Sequence, residues 1–154
     1  HKILEILDKK DLRTQFGSLG LLGNIGLLIL LKNYPQKFAL YLADLKEANH
    51  LNYHALENKH FQFSHAILGG YFLHWWNLPY CIIEAVTAHY PMDFNEKKIS
   101  EPSLILHLAD VLAWKKLGYL ENYELNDAIL AKLNVNRTLF FDIISDFEEN
   151  ELPD

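Results

Sequence analysis

Apolar residues recur three and four positions apart along nearly the whole chain, the spacing of a helix that packs one face on a neighbour. No alternating run is long enough to predict a strand, and no internal repeat is present. Lys2 to Asp8 reads as the end of a helix. Leu19 to Leu31 reads as one helix, closed near Asn33-Tyr34-Pro35 because proline disfavours helix in the residue before it. Lys37 to Leu56 supplies one or two more, with Phe38, Leu42 and Leu45 on a common face. Ser64 is a suitable N-cap for a helix reaching Trp76. Asn77-Leu78-Pro79 breaks the chain, and Pro79 fits the first turn of a helix carrying Ile82, Ile83, Val86 and His89. Tyr90 to Glu101 is polar and punctuated by proline, and reads as a loop. Pro102 opens a helix that ends at Gly118, glycine being the usual residue just past a helix end. Asn126 and Asn136 read as caps of two last helices, Asp127 to Leu133 and Arg137 to Glu148, and the acidic tail Glu148 to Asp154 is expected to fray. The fold class is therefore all-α, an irregular multi-helix bundle.

Composition narrows this picture. With 154 residues, half of them hydrophobic and 13% aromatic, a single domain over 1–154 with a substantial core is expected. The longest nearly apolar run, Gly20 to Leu31, is interrupted by Asn24 and is too short to cross a bilayer. With no signal peptide at the start, a soluble, cytoplasmic protein and no membrane partner are expected. His1 is not a natural initiator, so the chain reads as an excised piece of a longer protein. Fourteen basic residues stand against twenty acidic ones, a formal charge of −6, which argues against a grip on nucleic acid. The basic doublets Lys9-Lys10, Lys97-Lys98 and Lys115-Lys116 read as solvated surface. The single cysteine, Cys81, excludes an internal disulfide and a zinc ribbon, and its apolar neighbours suggest a buried structural thiol.

Eight histidines carry most of the candidate chemistry: His1, His50, His54, His60, His65, His74, His89 and His107. His50 and His54 are four apart and would share a helix face, but without a carboxylate partner two polar helix residues are the simpler account. His74, between Leu73 and Trp75, suggests a satisfied, partly buried ring. His60 has no evident partner. His65, His89 and Asp110 fall in or at the ends of separate helices, and such a trio can converge on a divalent metal in a bundle core. Three helix-end groups that satisfy the backbone or one another would leave the same pattern. The aromatic run Tyr71-Phe72-x-x-Trp75-Trp76 is expected to face the core, as aromatic stripes at helical spacing usually do; a docking face is the alternative use.

Several motifs in order resemble the HDOD subfamily of HD-type domains. Gly20-Leu21-Leu22-Gly23-Asn24-Ile25-Gly26 looks like the Gly-Leu-Leu-His-Asp-Ile-Gly element, with Gly23-Asn24 where the His-Asp doublet stands. Glu57, Phe63-Ser64-His65-Ala66 and Gly69-Gly70 resemble the next stretch, Trp76-Asn77-Leu78-Pro79 the Trp-x-Leu-Pro turn, and Ala85-Val86-x-x-His89-Tyr90 the Ala-Ile-x-x-His-His end. His107-Leu108-Ala109-Asp110 resembles the closing His-x-Ala-Asp. Some twenty residues precede the altered doublet, so the family's first helices are expected to be missing or to be supplied by sequence outside this stretch. A groove left open there would favour a homodimer.

The resemblance implies a bundle of the HD-domain type and a role in bacterial signal transduction. In catalytic HD relatives the doublet binds the metal that activates water against a phosphoester. Gly23 has no side chain to ligate, and the neutral amide of Asn24 is a poorer partner for a divalent cation than a carboxylate. The expectation is a pseudo-enzyme without cofactor, acting on a protein partner or a neighbouring signalling module, with His65, His89 and Asp110 as a vestigial metal set. The alternative is a metal-dependent phosphohydrolase or phosphodiesterase with an altered ligand set and a weakly held divalent metal. A nucleotide sensor without hydrolysis is a weaker third option, since no glycine-rich phosphate loop is present.

Overall fold

The computed structural model describes residues 3–4, 7–9, 11–12, 16–47, 53–90, 99–119, 127–136 and 138. Among them there is helix and no strand, as the periodicity predicts. The helices are α1 (Leu19–Leu22), α2 (Ile25–Asn33), α3 (Pro35–Glu47), α4 (Tyr53–Phe61), α5 (His65–Trp75), α6 (Tyr80–Thr87), α7 (Glu101–Lys116) and α8 (Asp127–Leu133). None is long and apolar enough to cross a membrane. The His50–His54 pair, residues 91–98, the Asn126 cap, the last expected helix and the acidic tail lie outside the described residues and side chains.

Local rules place most boundaries. The Ser64 hydroxyl accepts the Ile67 N–H at 3.2 Å and caps α5. Pro79 is the N-cap of α6, one position ahead of the expected first turn. Past α7, Gly118 takes a positive φ of 76°, the left-handed conformation that closes a helix.

Helix α7 runs through the middle of the bundle and is buried on nearly every side. Its Leu104, Ile105, Leu108 and Leu112 pack with Ile3, Leu4 and Ile129, Leu130 and Leu133 of α8. Leu106 points instead to Leu19, Leu73, Ile82 and Val86, joining α1, α5 and α6. Trp114 lies against the cluster of Leu27, Leu30, Phe38, Tyr41, Leu45 and Phe61 from α2, α3 and α4. Between Ser103 and Leu112 no residue of this helix is exposed, so its polar His107 and Asp110 are carried inside and require partners there.

Five expectations change. The helix expected over Leu19 to Leu31 is broken at Gly23-Asn24: Gly23 N–H bonds back to Leu19 O, and α2 starts afresh on the Asn24 carbonyl. Apolar spacing runs through the break unaltered, so periodicity could not show it. The aromatic run faces outward. Tyr71, Trp75 and Trp76 are exposed, because the inner face of α5 is made of His65, Ala66, Gly69, Gly70 and Leu73, and α2 and α6 approach it too closely to admit large rings. His74 is exposed rather than partly buried. His60 does have a partner, Asp44 Oδ2 at 2.8 Å, and that carboxyl is held below its usual range by hydrogen bonds from Lys59 and His60. Cys81 is half-buried against the α5–α6 cluster.

Candidate functional site

The residues with chemistry meet where α4, α5, α7 and the end of α6 come together. Glu57, in the middle of α4, is buried and bonds to the start of α5: its Oε2 accepts the His65 backbone N–H at 3.0 Å. That N–H is one of the four that a helix start leaves without an internal partner, and a carboxylate is the favoured group there. Glu57 Oε1 shares a second hydrogen bond with His65 Nδ1 and accepts a longer one, 3.4 Å, from the Tyr41 hydroxyl. Burial, and next the Glu57 charge, push the Tyr41 phenol well above its ordinary value.

His89 lies two residues past the end of α6 rather than within it. Its Nδ1 donates to Val86 O at 2.5 Å, and its Nε2 faces His65 Nε2 at 3.3 Å. Burial, followed by the charge His65 can carry, depresses the His89 ring to about 3. The hydrogen-bond directions then close on themselves. His89 Nδ1 must carry its proton to reach a carbonyl, so a neutral His89 presents a bare Nε2. His65 Nε2–H donates to it, and one remaining proton is shared between His65 Nδ1 and Glu57.

Asp110 sits on the other side. Its Oδ1 accepts from Asn24 Nδ2, and its Oδ2 accepts from the Tyr90 hydroxyl and, at 3.1 Å, from Trp114 Nε1. The Tyr90 ring joins the halves, with centroids 4.7 Å from His89, 4.8 Å from His107 and 5.5 Å from His65. Burial lowers the His107 ring to about 4, opposed in part by a hydrogen bond to the His89 backbone.

The set picked from the sequence is thus gathered, but in two separate networks: His65 with His89 and Glu57, and Asp110 with Asn24, Tyr90 and Trp114. Among the described residues, no group of three or more His, Cys, Asp or Glu side chains is arranged to hold a metal ion. Position 23 is crowded as well. A Cβ built on Gly23 would lie 2.9 Å from Leu106 Cδ1 and 3.2 Å from Cδ2, so the end of that leucine side chain must turn aside for any longer residue. Glu57, Tyr90, Trp114 and Leu106 were not weighed as site residues from sequence. Glu57 and Tyr90 stood among the motif residues of the resemblance, and Trp114 lies one turn beyond Asp110 on the same helix face.

These features define an all-helical domain with a buried histidine–carboxylate cluster at its centre. The family model for the HDOD domain matches residues 2–92, more than half of the chain, and the chain belongs to that family. The match takes in Gly23-Asn24, Glu57, His65 and His89, while His107 and Asp110 lie beyond it. No curated protein and no solved structure matches the chain.

Proposed function

We propose that this chain is a non-catalytic regulatory domain of bacterial signal transduction, working in the cytoplasm through contact with a protein partner or a neighbouring signalling module. The observation that supports this most is the state of Asp110. Both of its oxygens are taken by protein donors, one of them the Asn24 amide at the second position of the altered doublet. A direct N–H donor against the carboxylate does the work that a bridging cation would otherwise do, and it puts the amide nitrogen, which cannot ligate, on that side. With Gly23 bare and its surroundings filled by Leu106, these residues do not fit the metal centre of a catalytic HD domain, and no hydrolytic step follows from them.

One pair of observations favours the second reading, a phosphohydrolase with an altered ligand set. Two imidazole nitrogens already face each other at 3.3 Å, and Asn24 Oδ1 is buried without a hydrogen-bond partner. A metal there would have to displace the proton between the rings, so its affinity would fall as pH falls.

Elemental analysis of protein purified without chelator, followed by titration with manganese, iron and zinc, separates the readings. Well under one equivalent of metal and no turnover of simple phosphoesters are expected. Stoichiometric metal, lost in the His89→Ala variant and accompanied by hydrolysis, would overturn the proposal.

A further inference from the structure

We propose that the outward ridge of α5 is the docking face for a second copy of this chain; this rests on the interaction role proposed above and names its partner. Ile67, Tyr71 and Trp75 stand four residues apart, so they form one continuous ridge, and they are 58%, 58% and 67% exposed. The rings touch in series. Tyr71 meets Trp75 at 5.6 Å between centroids, Trp75 meets Phe72 at 6.5 Å, and Phe72 meets Trp76, itself 54% exposed, at 5.4 Å.

Three properties of the ridge select the occupant. The first is area. Aromatic side chains offer ~150–250 Å² each when covered. Three that are more than half exposed, with Ile67 and the edge of Phe72, therefore present on the order of 400–500 Å² of apolar surface. That matches the largest patch of an ordinary monomer and makes up most of the ~600 Å² per partner at the small end of specific interfaces.

The second is charge. Residues 60–83, which include all of α5, contain no Asp, Glu, Lys or Arg, although 22% of the chain is charged. Nucleic acid and anionic lipid surfaces are gripped by basic residues, and α5 offers none on a chain of net charge −6. An oppositely charged protein partner finds no charge on α5 itself to pair with. Another uncharged apolar face fits, and the second copy supplies one.

The third is shape. Rows of side chains four apart interdigitate with rows of the same kind at a crossing angle of about −50°, so the ridge is complementary to itself. A two-fold pairing puts Tyr71, the middle of the row, nearest to the axis.

Sedimentation equilibrium of the wild-type chain over a range of concentrations tests this, read beside Trp75→Glu and Tyr71→Ser variants whose folding is checked by circular dichroism. The expected result is a dimer in the wild type and a loss of tenfold or more in association for each variant. Raising salt is expected to leave the association unchanged or strengthen it, because screening reduces repulsion between copies of like charge. A monomer at every concentration, a dimer indifferent to both variants, or binding to lipid vesicles without a dimer in solution would overturn the proposal. Metal content measured on the same samples keeps the two proposals apart. A metal-free monomer sinks only the dimer, and a metal-loaded, hydrolytic dimer sinks only the non-catalytic reading.

Discussion

Asp110 is the residue on which the polar interior depends most. Replacing it with alanine removes the acceptor shared by the Asn24 amide, the Tyr90 hydroxyl and the Trp114 indole. An unmet buried donor costs ~1–3 kcal/mol, so Asp110→Ala is expected to lower unfolding free energy in urea by about 3 kcal/mol, and Asp110→Asn by about half that. If the carboxylate is held by these donors and not by a cation, excess chelator leaves the melting temperature of the wild type unchanged. A drop of several degrees on chelation would count against that account. Gly23 makes the complementary case. Gly23→His tests the doublet reading directly, and its Cβ would lie 2.9 Å from Leu106 Cδ1. Overpacking of this kind costs ~1–3 kcal/mol. A double-mutant cycle with Leu106→Ala is expected to show positive coupling, with part of the stability recovered and no phosphoesterase activity gained.

At the scale of elements, the crossing of α2 over the start of α5 brings Asn24 and His65 into the same interior. It depends on Gly26, where an added Cβ would sit 2.0 Å from the His65 carbonyl oxygen and 2.8 Å from its carbon. Both are backbone atoms, so no side chain can turn away to make room, and the helices must separate. Gly26→Ala is therefore expected to destabilise by ~3 kcal/mol and to weaken the near-ultraviolet circular dichroism of the buried Tyr41 and Tyr90 rings. Wild-type stability in this variant would show that the helices do not approach so closely. Both the α1–α2 break and this crossing belong to packing. The apolar spacing of Leu19 to Leu31 suits a single helix, and it is the Asn24–Asp110 bond, formed 86 residues apart in the chain, that goes with the break.

For the whole molecule, the consequence of burying so many imidazoles is acid sensitivity. His89 and His107 are lowered to about 3 and about 4 in the folded protein, against 6.5 for an unperturbed ring. Between those values the unfolded chain binds more protons than the folded one, so stability rises with pH there. The contribution is present in full above about pH 6.5 and is lost as pH falls toward the folded values, at up to ~1.4 kcal/mol per pH unit for each ring. The urea midpoint is expected to fall clearly from pH 7 to pH 5, with a shallower slope in His107→Gln. An unchanged midpoint would mean that the rings are not held neutral.

The amino-acid sequence by itself determined the all-α class, the Ser64 cap, the close of α7 at Gly118 and the bounds of α8. Each of these depends on residues within a turn or two of one another, where propensity, capping and proline geometry act. The motif order from Gly23-Asn24 to His89 was legible too, while the sequence left open whether His65, His89 and Asp110 converge or each satisfies its own helix end. Only the tertiary structure decided how they share the interior. The partners of His65 and Asp110 come from other helices, Leu106 fills the space beside Gly23 from α7, and Glu57 serves the start of a helix other than its own. The direction of Tyr71, Trp75 and Trp76 was set in the same way. Helical spacing fixes which residues share a face, but the close approach of α2 and α6 across small residues fixed which face turned inward.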